Sequence, residues 1–344
     1  AFFTLSGEIN GPCDLYQMSF AYSENPQGPF ISPDNVKNAY GETIYQSQPV
    51  YNVTSSNSRM DPKITRRSAI DISPFIDPVT KDKYIYFSYF DSFNKSEIFG
   101  IKMIDWLTPD YSTMKQLTAV GYLTVEESKQ GIAQTVQEGT INEGPFMVYE
   151  NGTYYMTLSV YGYTDEKYQV RQATSDDPLG TFTKYQPEDG GTVIATDPMW
   201  DHITSAGHHA FIYVENELYI AYHTFLNRSD ISEGRALAVD KIEYVDRNGV
   251  QLMHANGPTY SLQPLPEALS GYKNIARSAT ISATNTKEGS DVKYLNDGIM
   301  AYLDYDPIPE YEANKGLSKI TLTWDEFVTA RSIMIYHSEL NCKS

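Results

Sequence analysis

The chain has 344 residues, 41% of them apolar, enough to bury one large core or two ordinary ones. Lys and Arg number 26 against 44 Asp and Glu, and the formal charge of −18 excludes partners bound by phosphate neutralisation, nucleic acid above all. No run of eighteen apolar residues occurs, so no transmembrane helix is predicted.

The first residues, Ala1-Phe2-Phe3-Thr4-Leu5-Ser6-Gly7, read as the inside of a strand, with no charged segment and apolar stretch of a leader before them. Cys13 and Cys342 lie at opposite ends and define no disulfide framework or metal knuckle. Sequons stand at Asn52, Asn94, Asn151 and Asn227, and matter only in a glycosylating secretory pathway. Tyrosine, at 28 residues, suits strands and amphipathic platforms for polar ligands such as sugars.

A repeated hairpin organises the chain. Lys83–Ser88, Thr153–Ser159 and Glu217–His223 are each predicted as a strand after a polar turn, and each has an apolar strand just upstream. Those upstream strands begin near Phe75, Phe146 and Phe211, at spacings of 71 and 65 residues. A third strand follows each hairpin, at Ile98–Met103, Tyr168–Thr174 and Arg235–Asp240. Repeated meanders of this kind predict an all-β protein with few helices, built as a β-propeller whose repeat is longer than the WD or kelch types. In the middle hairpin the turn is Asn151-Gly152, the pair that supplies two positive φ angles for a type I′ turn.

A sharper repeat joins Tyr22–Phe30 to Thr174–Phe182, with Ser, Pro, Gly and Phe in register. Thr4-Leu5-Ser6 matches Thr157-Leu158-Ser159 at nearly the same offset, so the opening residues are expected to be the second strand of a blade whose first strand is missing. The proline-stiffened stretch Leu262–Leu269 is predicted to close the propeller, and from Asn274 the composition shifts to small residues and Thr.

In a propeller the innermost strands line a central tunnel, so residues just before them converge from distant parts of the sequence. Asp71 lies four residues before Phe75, Glu143 three before Phe146 and His208 three before Phe211. Two carboxylates and an imidazole at equivalent points of successive blades form a constellation suited to glycoside hydrolysis, which needs one protonated and one ionised carboxyl. The alternatives are a solvated acid for Glu143, an Asx-type turn cap for Asp71 before Ser73-Pro74, and a buried, hydrogen-bonded histidine for His208.

The ordered motifs Ile70-Asp71-Ile72-Ser73-Pro74-Phe75, Asn142-Glu143-Gly144-Pro145-Phe146 and Gly207-His208-His209-Ala210-Phe211 resemble glycoside hydrolase family 43. The resemblance implies a five-bladed β-propeller, here lacking its first blade, over residues 1–266. It also implies an inverting enzyme acting on arabinose- or xylose-containing plant cell-wall polysaccharide, of α-L-arabinofuranosidase or β-xylosidase type, and a secreted, cell-surface or periplasmic setting. By that resemblance Glu143 falls on the general acid and Asp71 on the aspartate that tunes and orients it. His208 falls on the histidine that helps hold a metal ion, usually calcium and often through water. Arg235 matches an arginine near the sugar subsite, the alternative being a surface arginine. His209 and His223 read as ordinary strand residues.

The family's general base is an aspartate of the first blade, in an Asp-Pro context. Asp61-Pro62, Asp77-Pro78 and Asp197-Pro198 carry the dipeptide, but none precedes the innermost strand of a first blade, so no base is assigned and this chain is expected to be inactive by itself. Residues 273–344 resemble the start of a discoidin-type (factor five/eight type C) carbohydrate-binding module, a partial jelly-roll sandwich, with Asn296-Asp297-Gly298 matching its early loop. The competing functions are a non-catalytic sugar-binding propeller and, among enzymes, an endo-arabinanase.

Overall fold

The computed structural model describes residues 1–7, 15–46, 49–53, 68–92, 95–122, 124–130, 138–196, 203–300 and 308–336. Both cysteines, Asn94, Asp61-Pro62 and Asp197-Pro198 lie outside them. The described chain is almost entirely strands and turns. Its α-helices are single turns at Val125–Lys129 and Glu267–Ser270, and no described helix is long and apolar enough to cross a membrane.

Two compact units are present. The first comprises Ala1–Tyr185 together with Gly207–His209, and the second Gln186–Ala206 with Ala210–Ser344.

In the first unit β1 (Phe2–Gly7) pairs antiparallel with β2 (Leu15–Phe20), and β3 (Val36–Lys37) with β4 (Thr43–Ile44). The next sheet runs β5 (Ser68–Ile76), β6 (Lys83–Ser92), β7 (Lys95–Asp105), β8 (Thr108–Pro109), with β9 (Lys115–Gln116) also on β7. A further sheet runs β10 (Asn142–Glu150), β11 (Thr153–Val160), β12 (Gln169–Ser175), β13 (Thr183–Lys184). Each is a meander, as the hairpin repeat predicts. Asn151 and Gly152 at the β10–β11 turn have φ of 50° and 88°, the two left-handed positions of a type I′ hairpin.

The inner strands begin earlier than Phe75 and Phe146. β5 and β10 take in Ser73-Pro74 and Gly144-Pro145 because each is the edge strand of its sheet, where proline's missing N–H costs no ladder bond. A register shift between Ile70 and Ser73, and another between Glu143 and Phe146, absorbs the irregularity as a bulge.

β6 explains how these sheets stack. It is buried along Tyr84–Tyr89, as expected of a strand covered on both faces. Alternation sends Ile85, Phe87 and Tyr89 into a core shared with Met18, Tyr51 and Ile101, while Tyr84 and Tyr86 enter a second core with Met147, Met156 and Leu158. One strand therefore serves two cores. Gly100 on β7 permits the close approach, since a methyl there would meet Leu117 and Leu179 at 2.8 Å.

The second unit holds β14 (Thr192–Ala195) and the sheet β15 (Thr204–Val214), β16 (Glu217–Phe225), β17 (Ala236–Arg247), β18 (Val250–Ala255). Residues 207–209 of β15 belong to the first unit. Asp240 is buried on β17 and accepts from Tyr222 Oη and Thr259 Oγ1, each at 2.6 Å, which ties the chain after β18 back to the sheet. Further on, β19 (Thr280–Ala283) pairs with β20 (Ile320–Thr323). The segment around it is bonded to the blade: Arg277 Nη2 reaches Glu243 Oε1 at 2.6 Å, and Asn256 Nδ2 donates to the Gly298 carbonyl at 2.7 Å.

Phe87 is fully buried and meets Tyr89 edge-on at 5.9 Å between centroids. Truncation in Phe87→Ala is expected to lower stability by about 3–5 kcal/mol. The measurement is the urea midpoint, which falls if this face supports the first core and stays put if it does not.

Candidate active site

Left-handed backbone recurs on three inner strands: Asp71 (φ 57°) and Gly144 (φ 55°) at the bulges of β5 and β10, and His208 (φ 48°) on β15, where Ser205 (φ 61°) shares it. For the non-glycine residues this is strained geometry, and such strain concentrates at functional sites. Asp71, Gly144 and His208 lie in the first unit.

The contacts converge there. Asp71 Oδ2 accepts from Ser88 Oγ at 3.0 Å and from the Gly144 N–H at 3.1 Å, which locks the Asp71 carboxylate to the peptide that follows Glu143. Asp71 Oδ1 is 3.8 Å from His208 Nε2. The His208 ring lies over Gly144, where a methyl group would stand 3.4 Å from ring atoms. The sequence-predicted Asp71, Glu143 and His208 are thus brought together, as a propeller's inner strands require.

Glu143 is half-buried and paired on the ladder with Ser159. Its Oε1 accepts from Tyr168 Oη at 2.6 Å, within the range of a charge-assisted O–H···O bond. Burial, with the Glu143 charge, holds the Tyr168 hydroxyl well above the ordinary phenol range, so it is a permanent donor. Ser88 and Tyr168 are not among the site residues expected from the sequence; for Ser88 the signal available is the serine that closes two of the predicted second strands, Lys83–Ser88 and Thr153–Ser159, and nothing in the sequence marks Tyr168.

His208 is 41% exposed through its side chain, and its backbone N–H donates to Ser159 Oγ at 2.8 Å. His209, one step along the strand, faces the other way into the core. Thr157 Oγ1 gives its hydrogen to the Phe146 carbonyl at 3.1 Å, and therefore accepts from His209 Nε2 at 2.6 Å. That fixes His209 as the neutral Nε2–H tautomer. Burial, with His208 beside it, lowers its pKa to about 3.

Asp77 of Asp77-Pro78 is fully buried and accepts from Val79 N, Thr80 Oγ1 and Tyr154 Oη. It caps the β5–β6 turn and is not placed to activate water. Arg235 is exposed in the second unit, one residue before β17.

A calcium ion wants six to eight oxygen donors. Among the described residues no group of three or more carboxylates, imidazoles or thiolates is placed to hold a metal. Asp71 Oδ2 is already committed to two donors, so His208 offers one imidazole nitrogen and does not build a calcium coordination shell. An ion at this histidine fits only with water filling its coordination sphere.

The family model described as glycosyl hydrolases family 43 matches residues 2–249. The chain belongs to that family. A solved thermostable family-43 glycoside hydrolase superposes with a TM-score of 0.54 at 23% identity, covering 76% of this chain and 73% of that one. An endo-1,4-beta-xylanase of Bacteroides thetaiotaomicron VPI-5482 superposes at 0.48 with 21% identity, covering 74% and 70%. The beta-D-galactofuranosidase xynD of Aspergillus niger (strain ATCC MYA-4892 / CBS 513.88 / FGSC A1513) is 29% identical over 105 residues. That match is 30% of this chain and spans only 28% of the relative's length. The meander sheets built on β5–β8, β10–β13 and β15–β18, all but the end of the last within the matched residues, are accordingly blades of the family's five-bladed β-propeller.

The buried His209 generates a pH dependence of stability. The unfolded imidazole titrates near 6.5 and the folded one near 3, so between those values the unfolded state binds more protons and stability falls with acidification. The slope approaches about 1.4 kcal/mol per pH unit for one such group. In urea titrations at pH 7 and pH 4.5, His209→Gln is expected to lose less stability on acidification than the parent. Equal losses would acquit this histidine.

Proposed function

We propose that this family-43 propeller is an inverting glycosidase, with Glu143 as proton donor and Asp71 as the carboxylate that orients it. The observation that carries the reading is the Gly144 N–H bond to Asp71 Oδ2, which couples the two acids through one peptide. Charge on Asp71 opposes charge on Glu143, which favours a proton on Glu143 ready for the leaving oxygen. Tyr168 and the strand pairing hold the carboxyl in place. The mechanism needs a base to activate water on the opposite face of the sugar; Asp77 is buried with donors on both oxygens, and Asp71 has the orienting part, so we assign the base to neither.

For substrate we propose arabinofuranosyl or xylosyl linkages of plant cell-wall polysaccharide, with Arg235 at the sugar subsite. The relative named for galactofuranose supports placing five-membered sugar rings first. The segment from 273 we read as a carbohydrate-binding module that would hold the catalytic propeller near its polymer, in a secreted or cell-surface setting.

The decisive experiment compares leaving groups in the full-length protein. Glu143→Gln is expected to slow cleavage about a hundred- to ten-thousand-fold when the leaving group is a sugar, and far less on the 4-nitrophenyl arabinofuranoside, xyloside or galactofuranoside that proves to be a substrate. Normal turnover of the natural glycan by Glu143→Gln would remove Glu143 from the role.

Calcium on His208, held through water, is proposed as a stabiliser of the folded state. Chelation is then expected to lower the melting temperature of the parent and to leave His208→Ala unmoved. A parent insensitive to chelator would leave His208 as a polar wall of the site.

A further inference from the structure

Tyr168 stands one residue before β12 with no exposed surface. Its ring lies against Gly207, where a methyl group would come within 2.3 Å of Cε1, so the glycine of Gly207-His208-His209 is what admits the ring. Three hydrogen bonds run through its hydroxyl and its neighbours. The His208 backbone N–H donates to Ser159 Oγ at 2.8 Å, Ser159 is hydrogen-bonded to Tyr168, and Tyr168 Oη donates to Glu143 Oε1 at 2.6 Å.

Proton counting fixes the direction. Tyr168 has one hydrogen and gives it to Glu143 Oε1, so towards Ser159 its oxygen accepts, and Ser159, which takes the His208 N–H on a lone pair, donates its own hydrogen to Tyr168. The chain therefore points one way, from the His208 peptide through Ser159 and Tyr168 to Glu143.

We propose that Tyr168 is the positioning residue for Glu143: it fixes the carboxyl rotamer, confines the transferable proton to Oε2, and stabilises the carboxylate left behind. This deepens the reading of Glu143 as general acid and rests on it. While Glu143 is protonated on Oε2, its Oε1 is a neutral carbonyl oxygen that accepts an ordinary hydrogen bond. As the proton passes to the leaving oxygen, the C–O bond of the glycoside breaks and Oε1 becomes part of a carboxylate, so the same bond strengthens. An interaction stronger in the transition state than in the ground state accelerates the chemical step. Ser159 and the His208 peptide polarise the donor in the same sense. The charged groups on the neighbouring inner strands are Asp71 on β5 and His208 on β15, and the Asp71 charge acts in the opposite direction, favouring the protonated acid.

The test uses Tyr168→Phe, which keeps the ring beneath Gly207 and removes one oxygen. In the full-length protein its kcat/KM is expected to fall about 10- to 100-fold on a glycan with a sugar leaving group, the range for a hydrogen bond to a charged group, and less than about threefold on the activated aryl glycoside. In a Glu143→Gln background the same substitution is expected to add nothing further. Equal losses on both substrates, or a full additional loss in the double variant, would overturn the proposal. A Glu143→Gln variant without leaving-group dependence would instead overturn the general-acid reading. A second readout needs no activity: the carboxyl carbon-13 signal of Glu143, recognised by its loss in Glu143→Gln, is expected to move in Tyr168→Phe and, by a smaller step in the same direction, in Ser159→Ala. A signal unmoved by Tyr168→Phe would show that the bond does not act on Glu143.

Discussion

The ammonium of Lys184 sets where the second full blade of the first unit begins. It is 5% exposed and sits among four oxygens: Glu138 Oε2 at 2.6 Å, Asn142 Oδ1 at 2.8 Å, and the carbonyls of Ala119 and Gly121 at 2.9 and 3.1 Å. Burial pulls its pKa down while the Glu138 charge pushes back. Such a buried pair adds little net stability over an apolar replacement, but removing one partner leaves an uncompensated charge. Here it joins the chain near 120 to the residue before Glu143. Ser96 adds two bonds to the backbone of Asn142, donating to its carbonyl and accepting from its N–H. The start of β10 is thus fixed by three bonds from two side chains, Lys184 and Ser96, and the Cα of Glu143 inherits that precision.

From that fixed point the bulges do the aiming. A regular strand would alternate Glu143, Gly144 and Pro145 between faces, and the edge would present no special geometry. The left-handed turn at Gly144 instead directs its N–H to Asp71, and the left-handed turn at Asp71 directs a carboxylate to meet it. Backbone strain at Asp71 and His208 is held in place by bonds from Ser88 and Ser159 on the adjacent strands. His208 and His209 then divide along the strand, one toward solvent and one into the core beside Thr157.

What was legible in the sequence was local or repeated. The Asn151-Gly152 hairpin is encoded in two adjacent residues, and the phenylalanine spacing located three inner strands because each blade solves the same packing problem. Asp71, Glu143 and His208 could be found by counting back from those strands. The strand starts could not, since the bulges keep Ser73-Pro74 and Gly144-Pro145 inside the ladder when local chemistry says they should break it. Lys184 and Tyr168 were invisible for another reason: their partners are 46 and 25 residues away, and no composition or spacing marks a long-range hydrogen bond. Asp77-Pro78 carried a plausible dipeptide and proved to be a turn cap, because a motif of two residues does not say which acceptors its carboxylate will find.

The repeat also explains how a site with one residue from each blade can stay coherent. Ser88 and Ser159 lie on the second strands of successive repeats, β6 and β11, yet they serve different partners. Ser88 donates to Asp71 within its own sheet, whereas Ser159 accepts from His208, which belongs to the next inner strand. Gly144 reaches back to Asp71 in the preceding sheet. Each site residue is therefore held by at least one bond from a sheet other than its own or from the next strand of its own, and the inner strands form a linked series from β5 through β10 to β15. The Asp71–Gly144 bond and the two Ser96 bonds to the Asn142 backbone join β10 to the preceding sheet on either side of Glu143. The acid–base role proposed for Glu143 tolerates little misplacement, and in a fold assembled from separate sheets the bonds that tie β10 to β5 and β7 on either side of Glu143 are what would meet that demand.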